Sequence, residues 1–135
     1  MNIINQLTEA QVQQVHGLYQ NEWWTNARSL EQTRQCIKGS QLIFAAIDAD
    51  SVIGFTRVLT DYTFKALVFD LIINPDYRKK HVGRKILNAV KQHADISGVS
   101  HIELYCLPEL FDYYRSHGFD NNVGGVMLMR LRNDK

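Results

Sequence analysis

A nearly unbroken apolar run, Leu67-Val-Phe-Asp-Leu-Ile-Ile73, stops just before Pro75, and the apolar positions that follow fall at Val82, Ile86, Leu87, Val90 and Ala94. A run of β-branched and aliphatic residues without alternation marks a strand covered on both faces. The later spacing is that of a helix with one core-facing stripe. The joint between them is therefore a strand-to-helix turn. It carries Arg78, Lys79, Lys80, Arg84 and Lys85 around Gly83, with no acidic residue between Tyr77 and Ala94 to cancel their field. Free N–H groups at a helix start and the positive end of its dipole form a site for an anion, most often a phosphate. Gly83 lets such a ligand approach the main chain closely.

The remaining chain supplies the other layers. Ile3 and Ile4 open a short strand, and Thr8 is a candidate cap for a helix whose apolar positions are Val12, Val15, Leu18 and Tyr19. An aromatic loop, Glu22-Trp-Trp-Thr-Asn-Ala-Arg28, precedes Ser29-Leu-Glu-Gln32, the capping-box pattern of a second helix that ends at Gly39. Residues 41–47 and 51–60 read as a hairpin, 61–64 as a turn into the buried strand, and 100–106 as a strand closed by Pro108. A short helix over 109–117 ends at Gly118, in a position that fits a left-handed cap, and 123–131 reads as a last strand. This order predicts a single α/β (α+β) domain, 1–135, with a mixed sheet.

Charge and composition exclude several classes. Six of the fifteen Lys and Arg residues lie between Arg78 and Lys91, which suits one polyphosphate better than an extended nucleic-acid strand. No apolar run reaches the length of a membrane span, and the first residues lack a cleavable leader, so a cytoplasmic protein is expected. Cys36 and Cys106 are too few and too far apart for a disulfide framework, and the five histidines show no metal spacing, so no metal is expected.

The segment from Pro75 to Leu87 resembles the acetyl-coenzyme A signature of the GNAT N-acetyltransferases, Arg/Gln-x-x-Gly-x-Gly/Ala after a hydrophobic strand. Arg78 and Gly83 match it, and His81 stands where the first glycine usually lies. A second segment, Tyr113-Tyr-Arg-Ser-His-Gly-Phe119, is similar to the family's Phe-Tyr-x-x-x-Gly-Phe. The resemblance implies a mostly antiparallel sheet with helices on both faces, its fourth and fifth strands parallel but splayed apart. Acetyl-coenzyme A would lie in that cleft, its pyrophosphate on Arg78, Lys79, Lys80, His81, Val82, Gly83 and Arg84. Its pantetheine arm would pair with the main chain of Ile72 and Ile73 as an added strand.

The implied reaction passes an acetyl group to a primary amine of a small molecule or peptide. Tyr114 matches the family position that protonates the leaving thiolate, with Tyr113 as the alternative in a shifted register, and a main-chain N–H near Ile72 would polarise the thioester carbonyl. Asp70, the one charge in the buried strand, is either the base or a structural carboxylate, and direct attack through a water chain needs no base. Trp23, Trp24 and Arg28 from the first loop, Arg57 from the opposing strand and Asp61 from the turn are candidates for the acceptor site. The tryptophans serve as aromatic walls or as core residues. Arg57 lies in alternation with Ile53, Phe55 and Leu59, and its partner is Asp61, Asp70 or a substrate carboxylate. A homodimer is compatible with this reading; the competing functions are a non-catalytic acyl-coenzyme A sensor and a nucleic-acid module.

Overall fold

The computed structural model describes residues 1–133, and the chain divides into two compact units, Met1–Tyr105 and a second beginning at Cys106. The first holds β1 (Asn2–Ile4), α1 (Glu9–Gln20), α2 (Leu30–Lys38), β2 (Leu42–Asp48), β3 (Ser51–Thr60), β4 (Lys65–Ile73), α3 (Val82–Gln92) and β5 (His101–Leu104). Both early helices start on capping boxes. The Thr8 hydroxyl accepts from the Gln11 N–H while the Gln11 side chain accepts from the Thr8 N–H, and Ser29 and Gln32 do the same. Each box satisfies two N–H groups that the helix start leaves over.

The sheet runs in the order β1-β2-β3-β4-β5, antiparallel throughout except for the parallel pair β4 and β5. It is covered on both faces, as the unbroken apolar run of β4 requires. On one side Phe44, Ile53, Val58 and Val68 pack with Val82, Ile86 and Val90 of α3. On the other, Ile43, Phe55 and Ile72 pack with Val15, Leu18 and Tyr19 of α1. Gly54 sets how closely α3 sits on the sheet, because a Cβ there would stand 2.9 Å from Ile86 Cδ1 and 3.0 Å from Val82 Cγ1.

Two irregularities decide which side chains share a face. Ala46 pairs with Gly54 and Ile47 with Val52, so Ile53 is an extra residue on β3. Phe55 pairs with Ile72 and Arg57 with Phe69, so Asp70 and Leu71 together oppose Thr56. A bulge of this kind inserts one residue and reverses the alternation beyond it. Simple alternation places Arg57 with Ile53 and Asp70 with Val68. The bulges instead turn Ile53 and Val68 toward α3 and keep Arg57, Phe55, Asp70 and Ile72 on the α1 side. Asp70 takes the left-handed conformation at φ 58° to make its bulge.

Pairing between β4 and β5 runs from Lys65 with His101 to Val68 with Leu104 and then stops. Beyond it β4 continues to Ile73, hydrogen-bonded among the described residues only to β3. This is the splay.

The second unit holds a 3₁₀ turn (Pro108–Leu110) and α4 (Phe111–Arg115). Gly118, at φ 92°, closes the helix: its N–H reaches the Arg115 carbonyl and the Phe119 N–H the Tyr114 carbonyl, a Schellman-type end. The strand expected over 123–131 is absent: the chain turns at Gly124 and Gly125, and 126–133 has no regular structure. Apolar content is not sufficient for a strand, which needs a partner edge, and the described residues of this unit contain no other strand.

Candidate active site

The turn after β4 is built by side-chain caps and strained backbone. Asn74 Oδ1 accepts from the Asp76 N–H, holding the 3₁₀ turn Pro75–Tyr77. Lys79 and His81 then adopt φ 66° and 62°, before α3 begins at Val82. His81 thus takes the left-handed conformation for which the motif normally uses glycine. That costs on the order of 1–2 kcal/mol, borne by the surrounding structure. Lys85 N–H is the first to find a carbonyl, that of His81 at 3.1 Å. Among the described residues, the main-chain N–H groups of Lys79, Lys80, His81, Val82, Gly83 and Arg84 have no acceptor within the chain. Successive free N–H groups in such a turn, at the positive end of a helix dipole, make an anion-binding concavity.

The side chains around it are less free than their sequence suggests. Arg78 Nη2 donates to Glu22 Oε1 at 3.0 Å, so an acidic group from the loop after α1 does reach the basic turn. Lys80 lies 5.2 Å over the Tyr77 ring, and the Tyr77 hydroxyl donates to Asp48 Oδ2, which raises its pKa. Lys85 Nζ donates to the Met1 carbonyl at 2.8 Å. Lys79 and Arg84 are exposed and have no partner among the described residues. A depression of about 230 Å³ lined by Tyr77, Lys80, Val82, Ile53, Asp48 and Met1 adjoins this turn.

At the splay, Ile72 is buried and Ile73 half-buried, and the rings of Phe69 and Tyr105 meet edge to face at 5.5 Å where pairing ends. Directly behind lies Asp70, its side chain 5% exposed. Its carboxylate accepts from Arg28 Nη1 at 2.6 Å and Nη2 at 3.2 Å, from Arg57 Nε at 2.7 Å and from the Tyr19 hydroxyl at 3.0 Å. Burial pushes the Asp70 carboxyl up, but the hydrogen bonds and charges of the two guanidiniums outweigh it and hold it below the ordinary carboxylate range. Burial, and then the adjacent Asp70 charge, raise the Tyr19 phenol, so it stays a donor. Arg28 stacks 4.7 Å over the Tyr19 ring, and Arg57 5.1 Å over Phe69.

The structure thus brings Asp70, Arg28 and Arg57 into one cluster. The loop that carries Arg28 is pinned to α1, its carbonyl accepting from His16 and Gln20 and the buried Thr25 hydroxyl donating to the Tyr19 carbonyl at 2.8 Å. Both tryptophans of that loop are outside the core, Trp23 76% and Trp24 43% exposed. Asp61 stands apart. Its Oδ1 accepts from the N–H groups of Lys65, Thr63 and Phe64, which hold its pKa down and fix the hairpin. It lies at the opposite end of β4, roughly 16 Å from Asp70 at ~3.3 Å per strand residue.

In the second unit, the Tyr114 ring packs edge to face on Tyr113 at 5.1 Å and Phe119 at 6.0 Å. Burial, with Tyr113 and Cys106 nearby, pushes its hydroxyl up to about 12. Among the described residues this hydroxyl has no hydrogen-bond partner. Cys106 is raised by burial, the wrong direction for a nucleophile.

Sequence reasoning missed two members of the site. Tyr19 reads as one more apolar helix position, yet a buried phenol must place its hydroxyl, and the unpaired acid of β4 was the available acceptor. Glu22 is the only acidic residue in a loop that otherwise offers aromatics and Arg28. Its pairing with Arg78, far away in sequence, has no local signal.

The model of the acetyltransferase (GNAT) domain matches residues 4–125, a span that crosses both units. The uncharacterized N-acetyltransferase ycf52 of the alga Pyropia yezoensis is 29% identical over 106 residues, 76% of this chain and 61% of that protein. The chain therefore spans about six-tenths of that relative's length. Among solved structures, a GNAT family acetyltransferase of Streptococcus pneumoniae superposes with a TM-score of 0.80 at 23% identity, covering 99% of this chain and 98% of that one. An aminoglycoside N-acetyltransferase crystallised with coenzyme A superposes with a TM-score of 0.74 at 14% identity, covering 98% and 95%.

Proposed function

The chain belongs to the GNAT acetyltransferase family, and on that premise we propose that it passes the acetyl group of acetyl-coenzyme A to a primary amine of a small molecule or peptide. The observation that carries this reading is the row of six main-chain N–H groups, residues 79–84, that find no acceptor among the described residues, following a strand whose last residues pair among them only with β3. Those amides, with Arg84 and Lys79 beside them, fit a pyrophosphate. The main chain of Ile72 and Ile73 fits an arm that pairs as an extra strand. When bound, acetyl-coenzyme A supplies an activated acyl group; the rest is positioning by this chain.

A main-chain N–H near Ile72 holds the carbonyl oxygen as negative charge develops on it. Tyr114 donates a hydrogen bond to the departing sulfur. A hydroxyl pushed to about 12 does not give its proton outright to a thiolate whose acid has a pKa of about 8.5. Its role is stabilisation of the sulfur's charge, with protonation completed as the product leaves. Asp70, first considered as a base, is better suited to positioning, since its oxygens already accept four hydrogen bonds and its pKa is depressed. Amine deprotonation then falls to water. Trp23, Trp24, Arg28 and Arg57 form the acceptor side. Asp61 has no part in it. Among the described residues no helix is long and apolar enough to cross a membrane.

Purified protein given acetyl-coenzyme A and a broad amine panel is expected to release free thiol above the rate without amine. Coenzyme A binding with no thiol release for any amine would instead make the protein a sensor.

A further inference from the structure

The acceptor side carries more positive charge than its own carboxylate can neutralise. Arg28 and Arg57 both converge on Asp70, so two guanidiniums share one negative charge and the cluster keeps an excess of one positive. The sharing is unequal. Arg28 uses both terminal nitrogens in a bidentate pair with Asp70. Arg57 meets it only through Nε, and among the described residues its two terminal NH₂ groups find no acceptor. Yet its side chain is only 15% exposed, laid against Phe69 on the α1 side of the sheet. Since no buried side-chain nitrogen lacks a partner among the described residues, the unused terminal groups open to solvent, and a guanidinium held on one side with four N–H bonds free on the other is a receptor for a planar oxyanion. The ring it lies on marks where β4 and β5 part, so the free edge of Arg57 is beside the opening where the acyl group would be delivered.

We infer that the acceptor amine carries an oxyanion, a carboxylate or a phosphate, which pairs with the free edge of Arg57. Asp70 is then a positioning residue that holds the Arg57 plane through Nε. The excess charge also repels acceptors bearing a second cation, so polyamines are poor substrates. This inference rests on the transferase reading above and narrows its substrate class.

Matched acceptors test it. Glycine is compared with glycinamide, 4-aminobutyrate with butylamine, and 2-aminoethyl phosphate with 2-aminoethanol, by thiol release, with putrescine as a dication. Amidation lowers the pKa of glycine's amine and enlarges its free-base share, so a preference for the carboxylate runs against intrinsic reactivity. The anionic member of at least one pair is expected to have a kcat/KM tenfold or more above its neutral partner, as a charge-assisted hydrogen bond implies. Which pair shows it separates carboxylate from phosphate. Arg57→Gln is expected to bring that ratio within about threefold, whatever it does to the absolute rates, and Arg57→Lys to fall between. Equal or better use of neutral amines by the parent overturns the inference, and this comparison needs no variant to fold. So does a drop in Arg57→Gln that is the same for every amine, which would assign Arg57 to the acyl group instead. Absence of thiol release from every acceptor, neutral ones included, defeats the transferase reading itself and takes this inference with it.

Discussion

Replacing Asp70 with Asn keeps the side chain's shape and removes its charge. In the parent the carboxylate, 5% exposed, accepts four hydrogen bonds from Arg28, Arg57 and Tyr19. The Asn oxygen can accept two of them, and the Asn NH₂ would face a guanidinium, donor against donor. Two cations would be left in a half-buried cluster without a counter-charge. Removing one partner of a buried ion pair costs ~3–5 kcal/mol. Arg28, 30% exposed, recovers some hydration, so the lower end applies. With ~2.1 cal/mol/K of unfolding entropy per residue, 3 kcal/mol in a chain of this length is roughly 10 °C in Tm. The acid side gives the sign. The folded carboxyl titrates below its unfolded value of about 3.9. Its stabilisation is therefore complete above that pH and is lost as the pH falls through the depressed folded value. Thermal unfolding followed by circular dichroism should show a gap near 10 °C between parent and Asp70→Asn at pH 7, narrowing progressively below pH ~4. A gap under 2 °C at pH 7, or one that stays constant into acid, would refute the argument that this carboxylate carries the cluster's charge balance.

Further expectations concern the binding turn and the leaving group. His81→Gly relieves a left-handed residue at φ 62° but adds unfolded-state entropy, so stability and coenzyme A affinity should stay within about 1 kcal/mol of the parent. His81→Val, β-branched in the same conformation, should lower both, measured by melting and calorimetry. Tyr114→Phe should reduce kcat about ten- to a hundredfold with coenzyme A affinity nearly unchanged; unchanged turnover would move that role to another group. Gly54→Val places a branched side chain against Ile86, Ile73 and Val82. It should cost ~1–3 kcal/mol and weaken coenzyme A binding, because α3 carries the free amides and must shift to make room.

The layers of this molecule were legible because they rest on local signals. The unbroken run of β4, the period of α3, the two capping boxes and Gly118 each state their conformation within a few residues. Faces were legible only where no bulge intervened. Ile53 and Val68 end up on the side opposite to the one alternation assigns, because a bulge depends on the partner strand rather than on the bulged one. The turn before α3 was readable for the same reason as the helix, and it holds His81 in a left-handed conformation that usually goes to glycine. The surroundings of the Asp70 cluster were readable as a set of unusual residues, an Asp and an Arg in buried strands and two tryptophans in a loop. The Arg57–Asp70 pair was among the alternatives the sequence offered, but the link to Arg28 was not, since Arg28 and Asp70 are 42 residues apart. Asp61 misled because a turn aspartate and a substrate-binding one look alike until its hydrogen bonds are known. The residues 123–131 show the limit of composition, since apolar content alone does not make a strand.

The most direct measurement follows the main-chain amide protons of residues 79–84 by ¹H–¹⁵N spectroscopy while coenzyme A is added. If those six N–H groups hold the pyrophosphate, their resonances move downfield together and saturate at the affinity found by calorimetry, whereas pantetheine, which lacks the phosphates, leaves them in place. Binding of coenzyme A with those resonances unmoved would contradict the account at its base.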